Sequence, residues 1–309
     1  MTRVSNPATF TVTMLGTASA MPVRDRNQSA QALNVHGRLF LVDCGEGAQR
    51  GMVSYGVSMQ KVDSVFISHI HGDHIYGLQG LMSTLGMGGR TVPLHIYGPQ
   101  NLHPHIKFFL SYNEWLPYEI VFHKVDTQFP EVLLETKSLR VTAFPLMHGV
   151  ETYGYIFAEK EPQWNVHKEC IEQYGLTLTE IGTLKRGEDV VREDGSVIPL
   201  EVAAYKRFSP RSYAYVSDTA VFPGEVEVLQ GVTVLYHEAT FLNEHVDKAS
   251  ARLHSTTLQV AQLAHDAGVQ KLIIGHYSSR NTDHLLYQEE CRSIFPETYA
   301  AEDGDVFEI

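Results

Sequence analysis

Basic residues are scarce in this chain. Against 36 Asp and Glu stand only 24 Lys and Arg, a formal net charge of −12. Such an excess favours solubility and gives a polyanion no overall attraction, so a nucleic-acid partner would need a local basic patch. Long apolar runs are lacking too: none approaches the roughly 20 residues that span a bilayer, which excludes a helical membrane protein. The stretch 1–10 holds one arginine and no apolar core, so no secretory signal is expected there. Cysteine is rare: Cys44, Cys170 and Cys291 are odd in number and far apart. That argues against a disulfide framework and suits a reducing, cytoplasmic setting, with all three as small buried residues. No internal repeat or low-complexity tract is visible.

What the chain has is histidine, sixteen in all, several in short clusters. Otherwise 309 residues at 43 % hydrophobic and 19 % charged suit a globular protein with a substantial core. Alternation at Phe10, Val12 and Met14 predicts a first strand ending at Gly16. A hairpin is expected over 32–42, turning at His36-Gly37, and a strand buried on both faces over 62–68. Helical spacing follows over 75–85. Further strands are expected at 94–97, 140–144, 153–157, 213–217, 232–237 and 271–275, with helices at 256–267 and 285–294. Strands interleaved with helices indicate a layered α/β domain spanning 1–309. Polar clusters fall where strands end, as sites on sheet-based folds do. Residues 159–211 break the pattern, being charged and punctuated by Gly and Pro. They read as an insertion, an arm expected to project from the domain.

The run His69-Ile70-His71-Gly72-Asp73-His74 places four potential ligands in six residues. No single strand or helix turns all four to one point. A loop leaving a buried strand can, with Gly72 free to bend. Imidazole and carboxylate suit zinc, which takes about four such ligands. Packed into a core without a metal, the cluster would leave polar groups unpaired at roughly 1–3 kcal/mol each. His148 and Asp218 say little alone. A lone histidine is more often structural, and Asp218 before Thr219 could be a turn or cap residue.

That run resembles the HxHxDH signature of the metallo-β-lactamase superfamily. The rest of the pattern follows in order: Asp43 in Asp43-Cys44-Gly45-Glu46, then His148, Asp218 and His276. The resemblance implies an αββα sandwich and two zinc ions per subunit. It puts His69, His71 and His148 on the first ion, Asp73, His74 and His276 on the second, and Asp218 across both. Asp43 would orient the ligand loop rather than bind metal. Within the superfamily, nearly the full length is similar to the ribonuclease Z family, endonucleases that remove the 3′ trailer of precursor tRNA. The most discriminating residues are His237-Glu238-Ala239-Thr240-Phe241 and His254-Ser255-Thr256-Thr257, with Tyr97-Gly98-Pro99 and Ser217-Asp218-Thr219 beside them. The resemblance implies a bridging hydroxide as nucleophile, Asp73 as base, and His254, kept protonated by Glu238, as acid on the departing sugar oxygen. The products would be a tRNA 3′-hydroxyl and a 5′-phosphorylated trailer. Alternatives stay open: His254-Ser255-Thr256 could lead into a helix cap, and Glu238 could be a buried partner of a zinc-binding histidine. A small-molecule phosphodiesterase of the same fold would need the metals but not the arm.

The negative net charge leaves three local candidates for RNA contact. Pro22-Val23-Arg24-Asp25-Arg26-Asn27 is similar to the family's Pro-x-Lys-x-Arg-Asn loop, with Arg24 in place of Lys. The match implies rejection of tRNA that already ends in CCA. Arg280, soon after His276, is a candidate phosphate grip. Lys185 and Arg186 lie in the arm, which corresponds to the family's tRNA-binding exosite. Two departures stand out: Gly182 lacks the Pro of the exosite's Gly-Pro element, and Asn281 replaces the Tyr of Ser-x-Arg-Tyr. The resemblance further implies precursor tRNA as partner, a homodimer in which one subunit's arm serves the other's site, and no membrane.

Overall fold

The computed structural model describes residues 9–281 and 283–309. Residues 1–8, most of the opening stretch in which no secretory signal is expected, lie outside them. The chain divides into two compact units, one of Met1–Glu135, Arg140–Phe157 and Ser212–Ile309, the other of Thr136–Leu139 and Ala158–Arg211.

Two seven-stranded sheets form the first unit. One contains β1 (Phe10–Gly16), β2 (Ala30–Val35), β3 (Arg38–Val42), β4 (Val62–Phe66), β5 (Leu94–Pro99) and β6 (Ile120–Val125) side by side in that order. The other contains β7 (Glu131–Glu135), β8 (Leu139–Pro145) and β9 (Tyr153–Glu159). Four two-residue strands, β10 (Asn165–Val166), β11 (Val190–Val191), β12 (Val197–Ile198) and β13 (Ala204–Tyr205), belong to the second unit. The second large sheet then resumes beside β9 with β14 (Ser212–Val216), β15 (Val234–Glu238), β16 (Lys271–Gly275) and β17 (Thr298–Ala300). The last strand, β18 (Val306–Glu308), returns to pair with β1.

Alternation explains the layering. Leu41, Val65 and Ile96 share a core with Leu81, Leu85 and Ile106 of the helices Leu78–Met87 and His103–Ser111. Their neighbours Phe40 and Phe66 point the other way: Phe66 meets Tyr155 and Phe157 of the second sheet, ring centroids 5.3 and 5.2 Å apart. On that sheet's far side, Leu235, Leu272 and Ile274 pack against Val260, Ala264 and Cys291 from the helices Thr257–Asp266 and Leu285–Arg292. Each large side chain so buried contributes about 1.5–3 kcal/mol. The result is the expected αββα sandwich. Strands β3 to β6 are parallel, and so are β14 to β17. Their C-terminal ends therefore line up, and the loops that leave them share one edge.

The expected elements are present with shifted ends. The helix expected over 75–85 divides into Gly72–Ile75 and Leu78–Met87. The break is at Gly77, where a Cβ would come 2.2 Å from the Gly45 carbonyl oxygen. The edge strands β6 and β7 were not anticipated, because most of their residues are half-buried or exposed and no buried face marks them in sequence. Cys44 and Cys291 are buried as expected, but Cys170 is partly exposed. Among the described residues no helix is long and apolar enough to cross a membrane.

The second unit has a core of its own, of Leu176, Leu184, Val190, Ile198, Ala203 and Ala204. Its helix Leu178–Lys185 starts at a capping box of Thr177 and Glu180. The chain enters and leaves side by side: Glu159 N–H donates to the Arg211 carbonyl at 2.9 Å, and the Arg211 guanidinium grips the Glu159 carboxylate at 2.6 and 2.9 Å.

Candidate metal centre and active site

Ligand residues leave the aligned strand ends of both sheets. His69, His71, Asp73 and His74 follow β4, Asp218 follows β14 and His276 follows β16, while Glu238 ends β15. Asp43, just beyond β3, organises the first loop. One carboxylate oxygen accepts from the Ser68 N–H at 2.7 Å. The other accepts from the Ser68 hydroxyl at 2.8 Å, His74 Nδ1–H at 2.7 Å and the Tyr215 hydroxyl at 2.6 Å. With Nδ1 so bound, His74 is left with Nε2, which is buried and without a hydrogen-bond partner. His148 is fixed similarly, its Nδ1–H donating to the Leu253 carbonyl at 3.1 Å. Such outer partners fix the tautomer and aim the free nitrogen.

Two ligand groups result, sharing Asp218: His69, His71, His148 and Asp218, and Asp73, His74, Asp218 and His276. In the second, His74 Nε2 lies 3.4 Å from Asp73 and 3.3 Å from Asp218, and His276 Nε2 lies 3.4 and 3.1 Å from the same two. In the first, His69 Nε2 is 3.0 Å from His71 Nδ1 and 3.6 Å from Asp218, and His148 Nε2 is 3.4 Å from His71. Ligand atoms on a tetrahedral ion at about 2.0–2.1 Å sit roughly 3.3–3.5 Å apart, so these residues fit metal ions. The orphaned His74 nitrogen points the same way. Four non-glycine residues here have left-handed backbones: Asp43 (φ 54°), Asp218 (56°), Leu253 (55°) and His276 (61°). Each costs of order 1–3 kcal/mol, a strain that collects at functional sites.

Charge is arranged accordingly. Burial pushes the pKa of His69 down. Burial also opposes ionised Asp73, but His74 and His276 hold its carboxyl well below the carboxylate range. Beside the ligands, His254 Nδ1–H donates to Glu238 at 2.6 Å. Burial disfavours the imidazolium, yet the Glu238 charge and hydrogen bond push its pKa up to about 9. Glu238, though buried, is held at about 2 by His254. It also accepts from the N–H groups of Thr219 and Thr240 and from the Thr240 hydroxyl. Those donors occupy its oxygens, which makes it a partner of His254 rather than a metal ligand.

A cavity of about 650 Å³ opens over both groups, lined by His71, Asp73, His148, His254 and His276, with Met21, Phe241, Arg252 and Arg280 at its walls. Arg280 thus lies where expected. Arg24 and Arg26 do not line this cavity. They line another, of about 490 Å³, with His284 and Asp303. Arg26 lies over the Tyr277 ring, and the Asn27 side chain donates to the Leu15 carbonyl. Lys185 and Arg186 are exposed residues of the second unit. Arg252 and Tyr215 escaped the sequence reading, and Thr219 entered it only as part of the Ser217-Asp218-Thr219 motif, without a role. Arg252 could have been suspected from its place two residues before His254, whereas Tyr215 carries no signal apart from its strand.

Fold and site together define a hydrolase of the metallo-β-lactamase fold that depends on metal ions. The human tRNase Z, short form, superposes with a TM-score of 0.69 at 25 % identity, covering 96 % of this chain and 98 % of that one. The metallo-beta-lactamase fold protein YhfI from Bacillus subtilis gives 0.70 at 20 % identity over 97 % and 100 %. Residues 10–111 match the family model described as anti-Pycsar protein Apyc1. In sequence, a ribonuclease Z of Bacteroides fragilis is 38 % identical over 299 residues, 96 % of this chain and 97 % of that protein. The chain belongs to the ribonuclease Z family.

Proposed function

We propose that this protein is a zinc-dependent endoribonuclease that removes the 3′ trailer of precursor tRNA, leaving a tRNA 3′-hydroxyl and a 5′-phosphorylated trailer. The observation that carries this reading is the Glu238–His254 pair at 2.6 Å beside two ligand groups joined by Asp218. An activated ester departs without a proton; a ribose oxygen needs one.

His69, His71 and His148 would hold one zinc ion, Asp73, His74 and His276 the other, with Asp218 shared. Metal ions so held supply an activated water and charge neutralisation at the phosphate. Asp73, ionised and facing the cavity, accepts the proton of the attacking water. His254 gives its Nε2 proton to the departing 3′-oxygen of the tRNA, and Glu238 holds the charge and tautomer that this requires. Because the tRNA carries the leaving oxygen, its body extends past the His254 side. Arg280, and by the family likeness Arg24 and Arg26, contact phosphates near the cut. The unit of residues 158–211, with Lys185 and Arg186, grips the tRNA body. The working form is a cytoplasmic homodimer.

The test is an end-labelled precursor tRNA incubated with zinc-loaded protein and with its His254→Ala and Asp73→Ala variants. One cut after the discriminator nucleotide, absent or greatly slowed in both variants, supports the reading. Turnover of a small diester without any cut in the tRNA sinks the substrate.

A further inference from the structure

Behind Glu238 lies a second ion pair, away from the cavity. His237 and Glu225 are both 0 % exposed, and His237 Nε2 lies 3.1 Å from Glu225 Oε1. The other ring nitrogen, Nδ1, lies 2.7 Å from the main-chain carbonyl oxygen of Glu238. The carbonyl can only accept, so Nδ1 carries a proton. Burial opposes a second proton on the ring, but the Glu225 hydrogen bond and charge push the His237 pKa up and favour the imidazolium. The second oxygen of Glu225 accepts from the Phe222 N–H at 3.3 Å. Burying two charges costs about what their attraction returns, so an apolar pair would serve stability as well. A charged pair is better suited to fixing direction, and both of its ends bear on Glu238.

We propose that His237, anchored by Glu225, is a positioning residue that sets the Glu238 carboxylate and through it the proton-donating face of His254. His237 fixes the Glu238 peptide by its carbonyl. Glu225 fixes the loop 219–225 through Phe222, and the same loop sends the Thr219 N–H to the Glu238 carboxylate at 3.1 Å. The Ser255 hydroxyl donates to the Thr219 carbonyl at 2.7 Å, tying the residue after His254 to that loop. Backbone and side chain of Glu238 are thus held from opposite ends of one clamp. The inference rests on the reading of His254 as the acid.

A pair of thymidine 5′-phosphate esters tests it without any RNA. The p-nitrophenyl ester has a leaving group that needs no proton; the phenyl ester has a more basic one that does. A merely structural role would slow both esters equally. His237→Ala strands the Glu225 charge and risks misfolding, so the variant is His237→Phe with Glu225→Leu, checked by a cooperative melt and by zinc content. Its kcat on the phenyl ester is expected to fall about tenfold more than on the p-nitrophenyl ester, the size usual for outer partners of a site. His254→Ala should give the same selective pattern. Equal losses, or none, in the folded double variant overturn the clamp; equal losses in His254→Ala overturn the acid reading and the clamp with it. Glu225→Gln, which keeps the shape but loses the charge and turns one of the two accepting oxygens into a donor, carries the same comparison should the double variant not fold. A missing cut in precursor tRNA would instead remove only the substrate.

Discussion

At the scale of single residues, His254 makes the clearest demand. A group that must be protonated to act, with a pKa of about 9, keeps activity up to that pH and loses it as pH rises further. Replacing Glu238 by Gln removes the charge that offsets burial. The pKa of His254 then falls, and the alkaline limb of kcat is expected to move to lower pH. A pH–rate profile of wild type and Glu238→Gln checks this, and coincident limbs would separate His254 from the proton transfer. His254→Ala should lower kcat on RNA by about 10²–10⁴. Asp43 acts otherwise, since its carboxylate touches His74, Ser68 and Tyr215 rather than the cavity. Asp43→Asn is expected to weaken zinc binding about 10–100-fold. Chelator competition would read this, with a smaller change in kcat at saturating zinc.

At the scale of elements, the loops rather than the strands bear the constraint. Gly45 and Gly77 touch across two loops, with the Cys44 N–H donating to the His74 carbonyl and the Gly77 N–H to the Cys44 carbonyl, both at 2.8 Å. Gly77→Ala would drive a Cβ to 2.2 Å from the Gly45 oxygen. The variant is expected to lose about 1–3 kcal/mol of stability, with a thermal midpoint that zinc restores only in part. An unchanged melt would mean that the two loops can part freely. Much of this was legible in sequence, because β1 to β5 and β14 to β16 alternate or run apolar between turn residues. The HxHxDH run, His148, Asp218 and His276 were expected to meet, and they do. What escaped has a physical reason. The edge strands β6 and β7 bury too little to show a period. The hydrogen bonds of Tyr215, Thr219 and Leu253 are made by residue types whose identity announces nothing. The Arg24-Asp25-Arg26 loop, a candidate for RNA contact near the cleavage site, lines a cavity separate from the one over the ligand groups, and no pattern of residue types reveals which way a loop faces.

At the scale of the molecule, a net charge of −12 must meet a polyanion. If a few arginines do the gripping, kcat/KM for precursor tRNA should fall steeply with salt, and Arg280→Ala should reduce that log–log slope by about one. The second unit poses a sharper question. Its chain enters and leaves at hydrogen-bonded neighbours, Glu159 and Arg211, and its core is its own. Replacing 160–210 by a short Gly-Ser linker therefore asks little of β9 and β14, which stay adjacent in their sheet. None of the seven ligand residues, nor Glu238 or His254, lies within the deleted stretch. The shortened protein is expected to bind zinc and turn over an activated aryl diester at a rate near wild type. Cleavage of precursor tRNA should fall by orders of magnitude, chiefly through KM, because the lost contacts are to the body of the substrate and not to the reacting phosphate. Loss of both activities together would mean that the unit supports the reaction centre itself. Retention of both would leave the tRNA body to be held by the first unit alone.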